Sequence, residues 1–246
     1  MRDLIRTEVL KLRTVRSPWL LLAAAPLLVA AGVSGLVVSA KDPLDAPTQS
    51  SALAHVGLAS IFTLAFGILA VAGEYRHRTI IDTYLSTPAR GRVVAAKLVV
   101  YAFFGALSGV IASGVGLGVA AAWWSDKGVG FVWGDSAMWA TIGGGIAWNA
   151  AFAAIGVGLG ALIRNLVGAV ATALAWVALV EGIVGQLVGN LARWLPFNAG
   201  QALGAGSKAM LNGSLLPRWG GGVVLAGYTV LFAGLAVGMS LRRDVS

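Results

Sequence analysis

The chain has 246 residues, of which 58% are hydrophobic and 11% charged, with a formal net charge of +8. That balance describes a polytopic membrane protein and not a soluble core. With no cysteine, disulfides, thiolate metal sites and cysteine nucleophiles are excluded, and two histidines are too few for a multi-histidine metal centre.

Residues 2–17 read as an amphipathic helix. At about 100° per residue, Leu4, Ile5, Val9, Leu12, Val15 and Trp19 fall within one arc, and Arg2, Arg6 and Arg13 cluster beside it. Glu8 and Arg16 intrude on the apolar arc. An apolar face with basic flanks suits a helix lying on an anionic membrane surface, its charged set being Arg2, Arg6, Glu8, Lys11 and Arg13. The plainer alternative is a basic flank that only sets orientation.

Six apolar segments follow, at about Pro18–Ala40, Ala52–Gly73, Leu98–Trp124, Ala137–Ile163, Leu166–Asn190 and Gly220–Leu241. Each is long enough to cross a hydrocarbon core of about 30 Å at about 1.5 Å per residue. The run from Trp19 to Val38 exceeds the apolar core of a secretory signal, about 7–15 residues, so the first segment is expected to be a span despite the small residues Val38-Ser39-Ala40. Thirteen of the 18 Lys and Arg residues then share one side with both termini, and the positive-inside rule places that side in the cytoplasm of a plasma-membrane protein. On the opposite side Trp123, Trp124, Phe131, Trp133 and Trp139 read as an aromatic belt.

Between the first two spans, Lys41–Ser51, with Pro43 and Pro47, reads as a loop. Gly105/Gly109, Gly114/Gly118 and Gly156/Gly160 have the small-xxx-small spacing of closely packed membrane helices. Gly143-Gly144-Gly145 marks a candidate bend. The connection 191–219, with Trp194, Pro196, Phe197 and Leu203, suggests short helices at the outer interface. Asn212-Gly213-Ser214 matches a glycosylation acceptor, a pattern common by chance.

The densest charge lies in 74–97. Glu74 to about Ser86 reads as a short cytoplasmic helix, with Glu74 at its N-terminal dipole and Pro88 beyond its end. Arg76, His77, Arg78 and Asp82 would face water beside Tyr75, Ile80, Ile81, Tyr84 and Leu85, a mixture suited to a protein interface. A solvated linker that satisfies the charge bias is the alternative. The chain has no phosphate-binding G-x-x-x-x-G-K-[ST] loop, no G-x-S-x-G and no H-E-x-x-H, so the subunit is not expected to be an enzyme, and any ATP hydrolysis falls to a second polypeptide.

Glu8-x-x-Lys11 before the first span, Gly73-Glu74-Tyr75-Arg76-His77-Arg78-Thr79, then Leu85-Ser86-Thr87-Pro88-x-Arg90-Gly91-Arg92 and Lys97 together resemble the permeases of ABC-2 type transporters, especially short six-helix subunits. Arg78 stands where glycine is frequent in that family. The resemblance implies an all-α membrane protein of the type V exporter kind: one domain over residues 1–246, six transmembrane helices, an interfacial helix at 1–17 and a coupling segment at 74–97. It implies a homodimer in the lipid bilayer, each copy binding an ATP-binding cassette subunit. ATP and Mg would sit on that partner, with no cofactor, metal or nucleic acid on this chain. Glu74, Tyr75, Arg76, His77, Arg78, Thr79 and Asp82 would couple the two subunits.

Glu181 is the one acidic residue deep in a span, where a carboxylate is costly. It either lines a transport path, with Asn149 and Gln186 as polar companions, or makes a structural hydrogen bond between helices. The function that the resemblance implies is efflux of a hydrophobic or amphipathic compound such as a drug, antibiotic, lipid or peptide. An ion-coupled secondary transporter and a non-transporting anchor or sensor are the alternatives.

Overall fold

The structure, a computed structural model, describes residues 1–39, 46–128, 130, 133–205 and 215–242. The described residues fold into helices, with no strand among them. In chain order these are α1 (Arg2–Thr14), α2 (Ser17–Ser39), α3 (Ala46–Leu53), a 3₁₀ stretch (Ala54–Ala59), α4 (Ser60–Arg76), α5 (Thr79–Ser86), α6 (Arg90–Asp126) and α7 (Ser136–Ile163). Then come α8 (Leu166–Ala175), a π-helical turn (Trp176–Glu181), α9 (Gly182–Leu187), α10 (Gly189–Ala192), α11 (Pro196–Ala205) and α12 (Arg218–Arg242). Six helical stretches are long and apolar enough to cross a membrane: Ser17–Ser39, Ser51–Arg76, Arg90–Asp126, Ser136–Ile163, Leu166–Val184 and Arg218–Gly238.

Helix α7 is the axis of the bundle and packs against α4, α6, α11 and α12. Glycine makes the first two approaches possible. A Cβ on Gly105 of α6 would lie 2.7 Å from the Asn149 carbonyl, and one on Gly156 of α7 would collide with the Leu64 carbonyl of α4. Backbones this close gain dispersion contacts that lipid tails cannot match, the force that holds helices together where water supplies no hydrophobic drive. The other faces of the bundle are ringed by exposed apolar side chains such as Leu27, Phe103, Leu179 and Val230.

Several expectations are corrected. The first connection is helical from Ala46, with Pro47 in the first turn, where its missing N–H leaves no bond unmade; Lys41 and Pro43 lie outside the described residues. The Gly114/Gly118 pair faces open space and brings no helix close. Helix α7 runs unbroken through Gly143-Gly144-Gly145, and Gly144 instead admits the Leu203 carbonyl of α11. Trp124 is fully buried and belongs to the core, whereas Trp133 and Trp139 are half exposed as a belt requires; Phe131 lies outside the described residues. Helix α11 does not rest at a surface: Asn198, Ala199, Gly200, Ala202 and Gly204 are buried, and Phe197 stacks edge-on against Trp148 in the middle of α7. Asn212-Gly213-Ser214, Lys208 and Arg243 lie outside the described residues.

Helix α6 starts at Arg90, two turns before the expected Leu98. Its 37 residues span about 55 Å, well beyond a hydrocarbon core of about 30 Å. The extra turns carry Lys97 to the end of the bundle that also holds α1, α5 and the α7–α8 turn. That end is the basic end of the molecule.

Candidate functional site: a buried charge network beneath an exposed helix

Helix α1 ends at Thr14, short of the expected residue 17, and is not merely laid on a surface. Leu12 is buried in a cluster with Phe66, Val71, Val94 and Tyr101, with Ile5 and Val9 packed beside it. The Trp19 indole N–H donates to the Leu12 carbonyl at 2.8 Å and pins α1 to the start of α2.

Glu8, the intruder on the apolar arc, is 3% exposed and sits at the centre of this packing because its partners are there too. Lys97 of α6, 1% exposed, donates to Glu8 Oε2 at 2.8 Å, to Glu74 Oε1 at 2.7 Å and to the Ala70 carbonyl at 3.0 Å, which uses all three ammonium protons. Lys11 donates to Glu8 Oε1 at 2.9 Å, to Glu74 Oε1 at 2.7 Å and to Thr83 Oγ1 at 3.4 Å. Burial disfavours the Lys11 ammonium, but the charges of Glu8 and Glu74 and their hydrogen bonds outweigh it and hold its pKa above the ordinary lysine value. Two carboxylates and two ammoniums thus form a neutral cluster that joins α1, α4, α5 and α6. Neutrality is what makes such burial tolerable.

The expected helix from Glu74 to Ser86 is two helices. Helix α4 continues through Arg76, so Glu74 lies in its last turn and not at a helix N-terminus. The chain then breaks at His77 and at Arg78, whose φ is +59°. A left-handed residue with a Cβ is strained relative to glycine, so Arg78 takes the conformation for which glycine is best suited. The break turns α5 so that Ile80 is buried and Tyr75 and Tyr84 are half-buried, while Ile81 and Leu85 are 44% and 76% exposed. Arg76, His77, Arg78, Thr79 and Asp82 are exposed around them, as are Arg2, Arg6 and Arg13 on α1.

Behind α5, the Arg90 guanidinium stands over the Tyr84 ring and that of Arg164 over the Tyr75 ring, both at 5.2 Å, and the two tyrosines are close enough for Tyr75 to act on the Tyr84 hydroxyl. Burial, reinforced by Tyr75, raises the Tyr84 pKa above the usual phenol value, so the hydroxyl stays protonated. Among the described residues no three His, Asp or Glu side chains converge as a metal site would need.

Glu181 belongs elsewhere. It is 2% exposed, and its carboxylate accepts from the backbone N–H groups of Phe197 and Asn198 at 2.9 and 3.0 Å and from the Asn198 amide at 3.2 Å. It caps the N-terminus of α11, where a helix dipole favours negative charge. The expected companions are not with it: Asn149 donates to the Val56 and Gly145 carbonyls, and Gln186 is exposed. A glutamine at 181 keeps one acceptor oxygen and turns an NH₂ toward a backbone donor. Glu181→Gln is expected to weaken the seating of α11 by about 1–3 kcal/mol, seen as faster hydrogen exchange at Phe197 and Asn198; unchanged exchange would show that α11 is held without the cap.

Sequence reasoning named Glu8 and Lys11 in the interfacial helix and Glu74 and Lys97 in the charged block, but it did not join them in one site and gave Thr83 and Arg164 no role there. The available signal was Glu8 itself: a carboxylate on the apolar face of a helix demands a buried cation.

No protein-family model and no curated protein matches this chain.

Proposed function

We propose that this chain is the permease subunit of an ABC-2 type transporter, homodimeric and exporting a hydrophobic or amphipathic compound with energy from a separate ATP-binding subunit. One observation carries the reading. A short helix at the basic end offers water two large apolar side chains, Ile81 and Leu85, amid Arg76, His77, Arg78 and Asp82, and it is tied through Thr83 to a rigid cluster of buried charge. Exposed apolar anchors with a polar rim suit docking onto another protein. The ionic cluster offers a path for force: Thr83 of α5 accepts from Lys11 of α1 at 3.4 Å, and short charge-assisted bonds then link Lys11 to α4 through Glu74 and to α6 through Glu8 and Lys97. Glu74 acts in this scheme as part of the transmission, Tyr75 supports the helix from behind, and Arg76, His77, Arg78, Thr79 and Asp82 form the contact region. The bilayer-facing apolar surface supports a substrate drawn from the membrane.

The test is co-purification with ATP-binding proteins encoded beside this chain. Ile81→Glu and Leu85→Glu, both at exposed positions, are expected to abolish capture of the ATPase and substrate-stimulated ATP hydrolysis while leaving thermal stability unchanged. If both variants still recruit the ATPase and stimulate it fully, α5 is not the docking element. If the unaltered chain recruits none, the transporter reading itself falls.

A further inference from the structure

The turn between α7 and α8 is only Arg164-Asn165, and spans lie on both sides of it. So short a connection cannot leave the membrane boundary, which fixes Arg164 at headgroup depth. Its φ is +57°, a left-handed conformation that glycine or asparagine adopts more easily. A bulky cation at such a position suggests that the guanidinium is used. No carboxylate pairs with it among the described residues, and its Nε–H is buried without a partner. The guanidinium rests on the Tyr75 ring at 5.2 Å, near enough to Tyr84 to act on its hydroxyl. Helix α8 begins at the next turn with its positive end: Asn165 Oδ1 accepts from Gly168, whereas the Leu166 and Val167 N–H groups find no partner among the described residues. Val167 itself is 71% exposed and apolar, so the surface beside this corner is a lipid-facing one.

We infer that Arg164, the Tyr75–Tyr84 pair and the N-terminus of α8 form a binding site for the phosphate of an anionic phospholipid headgroup, its acyl chains lying along Val167 of α8. Guanidinium, phenol hydroxyl and free helix N–H groups are all donors suited to an oxyanion, and the nearest carboxylate along the chain, Glu74, is engaged by Lys11 and Lys97 rather than by Arg164. A lipid is favoured over an acidic protein segment because the donors lie at the bilayer boundary and next to bare apolar helix. The site is independent of the transporter reading: it requires only that α7 and α8 span the membrane. A bound lipid would bridge α8 to α5 and so bias the position of the exposed α5 surface.

The purified full-length chain, in uncharged detergent, would be titrated with dioctanoyl phosphatidylglycerol, dioctanoyl phosphatidylcholine and inorganic phosphate, with binding read by native mass spectrometry and melting temperature. Phosphatidylglycerol is expected to bind and raise the melting temperature. Arg164→Asn suits the left-handed backbone and keeps the turn, and it is expected to weaken that binding about tenfold, the loss of one charge-assisted pair; Arg164→Lys should retain most of it. Equal binding of both lipids to the Arg164→Asn and unaltered chains would overturn the site. So would phosphate competing as well as phosphatidylglycerol, which would mean a soluble ligand. Loss of a protein partner with lipid binding intact would assign the corner to that partner.

Discussion

Replacing Lys97 by methionine is expected to destabilise the protein by about 3–5 kcal/mol, the usual cost of leaving buried charge without its partner. Methionine fills nearly the same volume, so packing changes little. What remains is Glu8 and Glu74 facing one another with only Lys11 between them, a net negative charge where Lys97 was 1% exposed. Glu8 has its two oxygens divided between the two lysines, so it is the group most exposed to the loss. The measurement is thermal unfolding in detergent micelles, with protease access to α1 as the local reading. Glu8→Gln combined with Lys97→Met leaves Lys11 and Glu74 as a neutral pair and should recover part of the stability. A Lys97→Met protein that melts like the parent would show that the cluster contributes nothing net, as some buried ion pairs do.

The second large effect is steric. Leucine at Gly156 is expected to cost about 3 kcal/mol or more, because its Cβ would overlap the Leu64 carbonyl and stand 3.0 Å from the Ile68 nitrogen. Neither obstacle is a side chain that can rotate away, so α4 and α7 must separate along their length. The control is Gly114→Leu, where nothing lies within 4 Å. The two variants keep the same hydrophobic gain and the same small-xxx-small context. A loss of monodisperse protein on size-exclusion chromatography for Gly156→Leu alone would locate the packing seam; equal behaviour of the two would refute it.

These two cases show what the sequence makes legible. Span number and approximate limits followed from hydropathy, because each stretch is apolar enough to be read without its neighbours. Glycine spacing located the close-approach faces on α6 and α7 but not the open one on α6. Gly105/Gly109 and Gly114/Gly118 are alike as strings and differ only in what lies opposite. The break at His77-Arg78 was hidden because arginine disguises a left-handed position that glycine would have advertised. Helix α11 was read as a surface element because its Trp, Arg and Asn neighbours suggest an interface; its burial depends on Glu181, sixteen residues from Phe197. Glu8 looked like noise in a helical wheel until Lys97, 89 positions away, came to lie beside it. Local periodicity cannot report a partner so far along the chain.

That separation has a consequence for how the molecule is made. Glu8 is synthesised before the third span, which supplies Lys97, one of the two cations that pair with it. Until α6 is inserted, Glu8 has only the partly exposed Lys11 of its own helix as a partner, and drying so incompletely paired a carboxylate is unfavourable. The N-terminal helix must therefore wait at the surface while two spans are laid down, and it docks only when Lys97 arrives. Its seating marks the completion of the basic end rather than its beginning.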